Sequence, residues 1–152
     1  ILICELDGVE EEIEPQLQRL QALLSEHGAV SIQHASDEAE RIRFWSGRKN
    51  AFPAVGRLSP DYYCMDGTIP RKALAQVLKK ITELSERYDL RVANVFHAGD
   101  GNLHPLILYD AGVAGEFEKV EAFGGEVLDL CIEVGGTITG EHGVGLEKVD
   151  RM

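Results

Sequence analysis

Apolar residues recur along this chain at two spacings, and the spacings lay out its elements. From Val9 to Glu26, Ile13, Leu17, Leu20, Leu23 and Leu24 fall on one helical face, with Gly28 placed to close the C-terminus. Ser36 or Asp37 can cap a second helix carrying Ala39, Ile42 and Trp45 inward and fading near Gly47. A third helix is expected from Arg71 to Tyr88, with Leu74, Val77, Leu78, Ile81 and Leu84 inward and Pro70 suited to its first turn. A long helix follows from Val113 to Val134, with Gly124 and Gly125 in its middle and Gly135-Gly136 at its end.

The remaining apolar runs are short and read as strands: Ile1 to Leu6, Ala29 to His34, Tyr62 to Ile69, Val92 to His97 and Leu103 to Tyr109. Thr137 to Thr139 gives a last extended piece, and Pro53 to Pro60 reads as irregular. Val92–His97 and Leu103–Tyr109 are joined by residues 98–102, a hairpin whose Asp100-Gly101 pair supplies the positive-φ position. This order predicts an α+β fold: an antiparallel sheet with helices packed on one face, of the ferredoxin-like kind.

The chain's 152 residues suffice for one domain with a sizeable core, and 44% hydrophobic with 27% charged residues is ordinary for a globular protein. A formal net charge of −11 argues against nucleic acid or an anionic membrane surface as partner, since phosphates would be repelled. Cys4, Cys64 and Cys131 form no CxxC pair, so reduced thiols in a cytoplasmic protein are expected. No apolar run is long enough for a membrane span. The chain starts in an apolar run without methionine and stops just after a glycine-rich cluster, so a piece of a longer protein is expected.

Candidate chemistry lies in two motifs. NVFHAGDGNLH (Asn94 to His104) puts His97 and His104 on either side of the hairpin turn, where both imidazoles can point to one side. Two neutral imidazoles that close bind a borderline divalent cation such as zinc, manganese or iron. Glu141, in the GEHGVG cluster that also holds His142, would complete a two-histidine, one-carboxylate set with positions left open for substrate. Gly140, Gly143 and Gly145 would let backbone approach a ligand, although GEHGVG taken alone also reads as a flexible loop. Asp100 is a further candidate ligand, but turn geometry already explains it. His27 and His34 read as ordinary side chains.

NVFHAGDGNLHPLILYD, GGTITGEHGVGLEK and YYCMDGTIPR together resemble the C-terminal domain of FAD-linked oxidases of the vanillyl-alcohol-oxidase type, on the glycolate oxidase and D-lactate dehydrogenase branch. The resemblance covers essentially all of residues 1–152 and includes nothing like that family's N-terminal FAD-binding domain. It implies that His97, His104 and Glu141 hold a divalent metal and contact substrate, and that His142 is the general base for the 2-hydroxyl proton while hydride leaves C2 for FAD. It also implies that Arg48, after Trp45, clamps the substrate carboxylate; an ordinary exposed helix residue is the alternative. The positions that in relatives meet a second carboxylate correspond to Phe52, Cys64 and Leu106, none able to pair with one. A short 2-hydroxy acid such as glycolate or D-lactate is therefore expected. Further implied partners are the FAD domain of the full-length chain and other glycolate oxidase subunits, with the assembly cytoplasmic or peripheral to the inner membrane. The residues alone also admit a free-standing metal-binding domain, a flavin-independent metallohydrolase, or a ligand-binding regulatory module.

Overall fold

The computed structural model describes residues 1–152, the side chain of Glu10 excepted. The chain forms two compact units, Ile1–Asn50 and Ala51–Met152.

The first unit is helical. Helix α1 spans Glu10–Glu26 and ends where Gly28 takes a φ of 82°. Helix α2 spans Glu38–Lys49 and starts at Asp37, whose carboxylate accepts from the Glu40 N–H at 2.8 Å. Glu40 reaches back to the Ser36 N–H and hydroxyl at 3.0 and 2.8 Å, so both expected cap residues take part in one reciprocal box. The strands expected over Ile1 to Leu6 and Ala29 to His34 do not form. A strand needs a partner edge for its N–H and C=O groups, and no strand exists in this unit among the described residues. Ile1 and Val30 consequently stand fully exposed.

The second unit holds the sheet. A short helix α3, Ala51–Val55, replaces the beginning of the expected irregular stretch; Pro53 is tolerated because it lies in the first turn, where N–H groups lack intrahelical partners. Strands β1 (Asp61–Cys64) and β2 (Gly67–Thr68) lead through a 3₁₀ turn, Arg71–Ala73, into helix α4, Leu74–Tyr88. Strands β3 (Val92–Asn94), β4 (Asn102–Leu103) and β5 (Pro105–Tyr109) follow, then helix α5, Glu116–Glu133. One sheet is antiparallel in the order β1-β5-β3, and β2 pairs with β4 in a second. The α+β expectation holds. The single ferredoxin-like sheet is here divided in two, and its last expected strand is a bridge between Thr137 and Thr68.

Central strand β5 is buried on both sides, so its side chains separate two cores. Ile107 faces α4 and α5, joining Val77, Ile81, Val120, Phe123 and Val127. Leu106 and Leu108 face the other way, onto Val55, Phe52 and Cys64. The glycine pair inside α5 has a packing reason. A Cβ at Gly124 would lie 3.0 Å from the Met65 sulfur, so the helix approaches the end of β1 only because glycine is there. That approach carries residues 65–68 beneath the segment leaving α5.

Candidate functional site

Three chain segments converge where β1 ends. The first is the hairpin turn. His97 N–H donates to Asn102 O at 2.9 Å, and Val95 N–H to His104 O at 3.2 Å, which anchors both histidine backbones. Gly101 takes a φ of 74°, and a Cβ there would sit 2.1 Å from Ile69 O, so both conformation and space demand glycine. Asp100, beside it, is exposed and sits in the turn.

The second segment follows α5. Thr68 and Thr137 exchange backbone hydrogen bonds at 3.0 and 2.9 Å, which turns residues 138–142 back over the hairpin. Gly140 lies against Asn102, whose amide oxygen would meet an added Cβ at 2.6 Å. Its close approach is therefore to the chain's own amide.

The third segment is Asp66, absent from the sequence-derived set. It is fully buried, and its Oδ2 accepts from the N–H groups of Gly140, Glu141 and His142 at 2.8, 2.9 and 2.9 Å and from the Thr139 hydroxyl at 3.0 Å. Lys148, also buried, donates from Nζ to Asp66 O at 2.8 Å. The signal was within YYCMDGTIPR: a carboxylate next to a glycine directly after an apolar strand.

The side chains then meet. His104 is 2% exposed, and its ring stacks on His142 with centroids 5.0 Å apart and planes 11° apart. His97 approaches the His104 ring edge-on at 5.5 Å. Glu141 reaches His97 Nε2 at 3.7 Å and His104 Nε2 at 3.5 Å, and Asp66 Oδ1 lies 3.4 Å from the same His104 nitrogen. Two ligand sets thus share His104: His97, His104 and Glu141, or Asp66, His104 and His142, each with donor atoms within 4.8 Å of one another. Phe52 packs its ring 6.1 Å from His104 and, with Cys64 and Leu106, forms an apolar wall. Burial, then the nearby Asp66 charge, pushes the Cys64 thiol up to about 11, so this wall carries no charge. Arg48 lies half-buried in the last turn of α2, in the first unit.

The donor set fits a divalent cation. Asp66 Oδ1 and both ring nitrogens of His104 are buried without hydrogen-bond partners, and each such atom costs about 1–3 kcal/mol unless something satisfies it. Burial pulls the His104 pKa below its ordinary value, an effect that neighbouring Asp66 opposes and His142 reinforces, which leaves the imidazole neutral as a ligand must be. For Asp66, burial alone would raise the pKa; the His142, Gly140 and Glu141 N–H groups outweigh it and hold the carboxyl well below the usual range.

Both shifts act on stability in one direction. Below pH about 6.5 the unfolded chain protonates His104 while the folded chain resists, so folded stability falls as pH drops toward the lowered folded value. Asp66 contributes stability that is present above its unfolded pKa, near 3.8, and is lost as pH falls further. Urea unfolding of the metal-free protein should therefore show midpoints that decline from pH 7 to 5 and again below pH 4. A flat profile would contradict both assignments.

Comparison with known proteins places these residues in context. Residues 1–152 match the family described as FAD linked oxidases, C-terminal domain. The chain is 64% identical over its whole length to glycolate oxidase subunit GlcD of Escherichia coli strain K12, of which it covers 30%. It is 39% identical over 97% of its length to glycolate oxidase subunit GlcD of Bacillus subtilis strain 168, covering 32% of that protein. It is also 31% identical to a probable mitochondrial D-lactate dehydrogenase of Danio rerio, over 97% of this chain and 30% of that one. The chain thus spans about a third of the length of these curated relatives.

Proposed function

The chain belongs to the FAD linked oxidase C-terminal domain family, and from that we propose that it forms the substrate side of a flavin-dependent 2-hydroxy acid oxidoreductase acting on glycolate or D-lactate. The observation that carries the proposal is the meeting of His97, His104, Glu141 and His142 beside a neutral apolar wall. The relatives named for glycolate and D-lactate chemistry support the substrate class.

In this reading His97, His104 and Glu141 hold a divalent metal of the zinc, manganese or iron class. Such an ion supplies Lewis acidity toward a substrate oxygen when bound. His142 takes the 2-hydroxyl proton on its imidazole; it is exposed while its neighbour His104 is buried, so it is the ring open to an incoming acid. Arg48 pairs with the substrate carboxylate, a bidentate task suited to guanidinium. FAD supplies the electron acceptor when bound. The space beside the glycines that approach other atoms most closely, Gly67, Gly101, Gly125, Gly136 and Gly140, is filled by this chain's own atoms, so none of them forms a cradle for FAD.

The division of labour implies a full-length protein with a separate FAD-binding domain, in an assembly with other glycolate oxidase subunits. A cytoplasmic or peripheral membrane setting belongs to the same reading; among the described residues no helix is long and apolar enough to cross a membrane.

The test is anaerobic mixing of the full-length protein with acids of both classes. Glycolate or D-lactate should bleach the flavin absorbance. 2-Hydroxyglutarate should do so at least about 100-fold less efficiently, because an unpaired second carboxylate against Phe52, Cys64 and Leu106 costs about 3–5 kcal/mol. Equal rates with both classes would remove the specificity argument, and no bleaching by any 2-hydroxy acid would remove the function.

A further inference from the structure

We propose that Asp66 is a positioning residue, which sets Glu141 and His142 by holding the backbone of the segment that carries them. The inference rests on the functional reading above. Residues 138–148 form neither helix nor strand, and Gly143 and Gly145 take positive φ, so no regular hydrogen-bond ladder fixes this segment. One buried oxygen does. Asp66 Oδ2 receives three consecutive backbone N–H groups, those of Gly140, Glu141 and His142, together with the Thr139 hydroxyl. Successive N–H groups converging on an anion form a nest, and bonds to an ionised acceptor are roughly twice as strong as neutral ones.

The surroundings keep this anion in one place. Lys148 holds the Asp66 backbone carbonyl at 2.8 Å and brings its charge to 4.0 Å from Oδ2. Thr68, two residues on, pairs with Thr137 through backbone and hydroxyl groups, the latter at 2.6 Å. The segment is thereby fixed both before and at Glu141. Oδ1, left over, lies 3.4 Å from His104 Nε2 with no hydrogen bond between them, beside the buried ring against which His142 stacks. A shift of Asp66 would move the proposed base and the proposed carboxylate ligand together.

Oδ2 is already saturated by four donors, so Asp66 is assigned to holding the loop; Oδ1 has no hydrogen-bond partner, and ligation of the ion through it is the rival outcome of the test. The experiment compares the full-length wild type with Asp66→Asn by steady-state kinetics with glycolate, manganese titration and amide hydrogen exchange. Asp66→Asn should lower kcat by about 10–100-fold, the usual consequence of losing a partner that orients a site, with KM changed by less than about threefold. Exchange at Glu141 and His142 should speed up by a similar factor while α5 around Val120 to Leu128 keeps its protection.

Unchanged exchange at residues 140–142 together with kcat within about twofold of wild type would overturn the proposal. Loss of manganese binding with exchange unchanged would make Asp66 a ligand, and would overturn it as well. Should the variant not fold, Thr139→Val removes only the hydroxyl bond; a several-fold loss in kcat and faster exchange at 140–142 are expected, and no change in either would refute the idea. A wild type that oxidises no 2-hydroxy acid would sink the functional reading alone, and the exchange data would still decide whether Asp66 holds the loop.

Discussion

His142→Ala in the full-length protein should lower kcat by about 10²–10⁴-fold, the range general acid–base catalysis contributes. KM for glycolate should change little, since the substrate carboxylate is assigned to Arg48 and the loss falls on the transition state. The size of the effect follows from how little else the substitution removes. The His142 N–H that donates to Asp66 at 2.9 Å belongs to the backbone and survives in alanine. The side chain is exposed, so the core loses only one ring face stacked on His104. Manganese affinity should stay within a few-fold of wild type, because His142 lies outside the His97, His104 and Glu141 set. A variant that keeps its turnover would remove His142 from the chemistry.

The second large effect is expected for His104→Ala. His104 lies at the centre of the cluster, stacked on His142, edge-on to His97 and Phe52, and within 3.5 Å of two carboxylates. Losing an outer partner of a metal ligand already costs about 10–100-fold in affinity, so removing a ligand itself should cost at least about 100-fold. The readout is thermal or urea unfolding with and without manganese. A cation at about 100 times its Kd stabilises the wild type by about 2.7 kcal/mol. His104→Ala should gain almost none of this, while glycolate turnover falls with it. Equal stabilisation of both proteins by manganese would mean that the cation binds elsewhere.

What the sequence revealed follows the distance over which each feature is determined. The helices were legible because their signals are local: Asp37 caps α2, Gly28 ends α1, and the spacing of Val77, Ile81 and Leu84 turns one face of α4 inward. His97 and His104 were legible as a pair for the same reason, since Gly101 fixes the turn between them. The strands expected over Ile1 to Leu6 and Ala29 to His34 failed because a strand is completed by a partner that its own residues do not specify. Helix α3 is not legible because Pro53 signals irregular backbone in a sequence, yet is tolerated in the first turn of a helix. Asp66 was the largest gap. The amides it holds lie 74 to 76 positions further along, and no periodicity reports a contact of that range. Glu141 and His142 came from a motif and a family resemblance; the fold adds their approach to His104.

The most direct test of the account is where a divalent cation settles. Crystals of the full-length protein soaked in manganese or zinc, examined by anomalous scattering, should show one ion bonded to His97, His104 and Glu141, at about 2.0–2.2 Å from each if it is zinc. His142 should remain unbonded to the ion and free to take a proton. An ion held instead by Asp66, His104 and His142 would make the proposed base a ligand and the proposed loop anchor a ligand too, and would contradict the central claim.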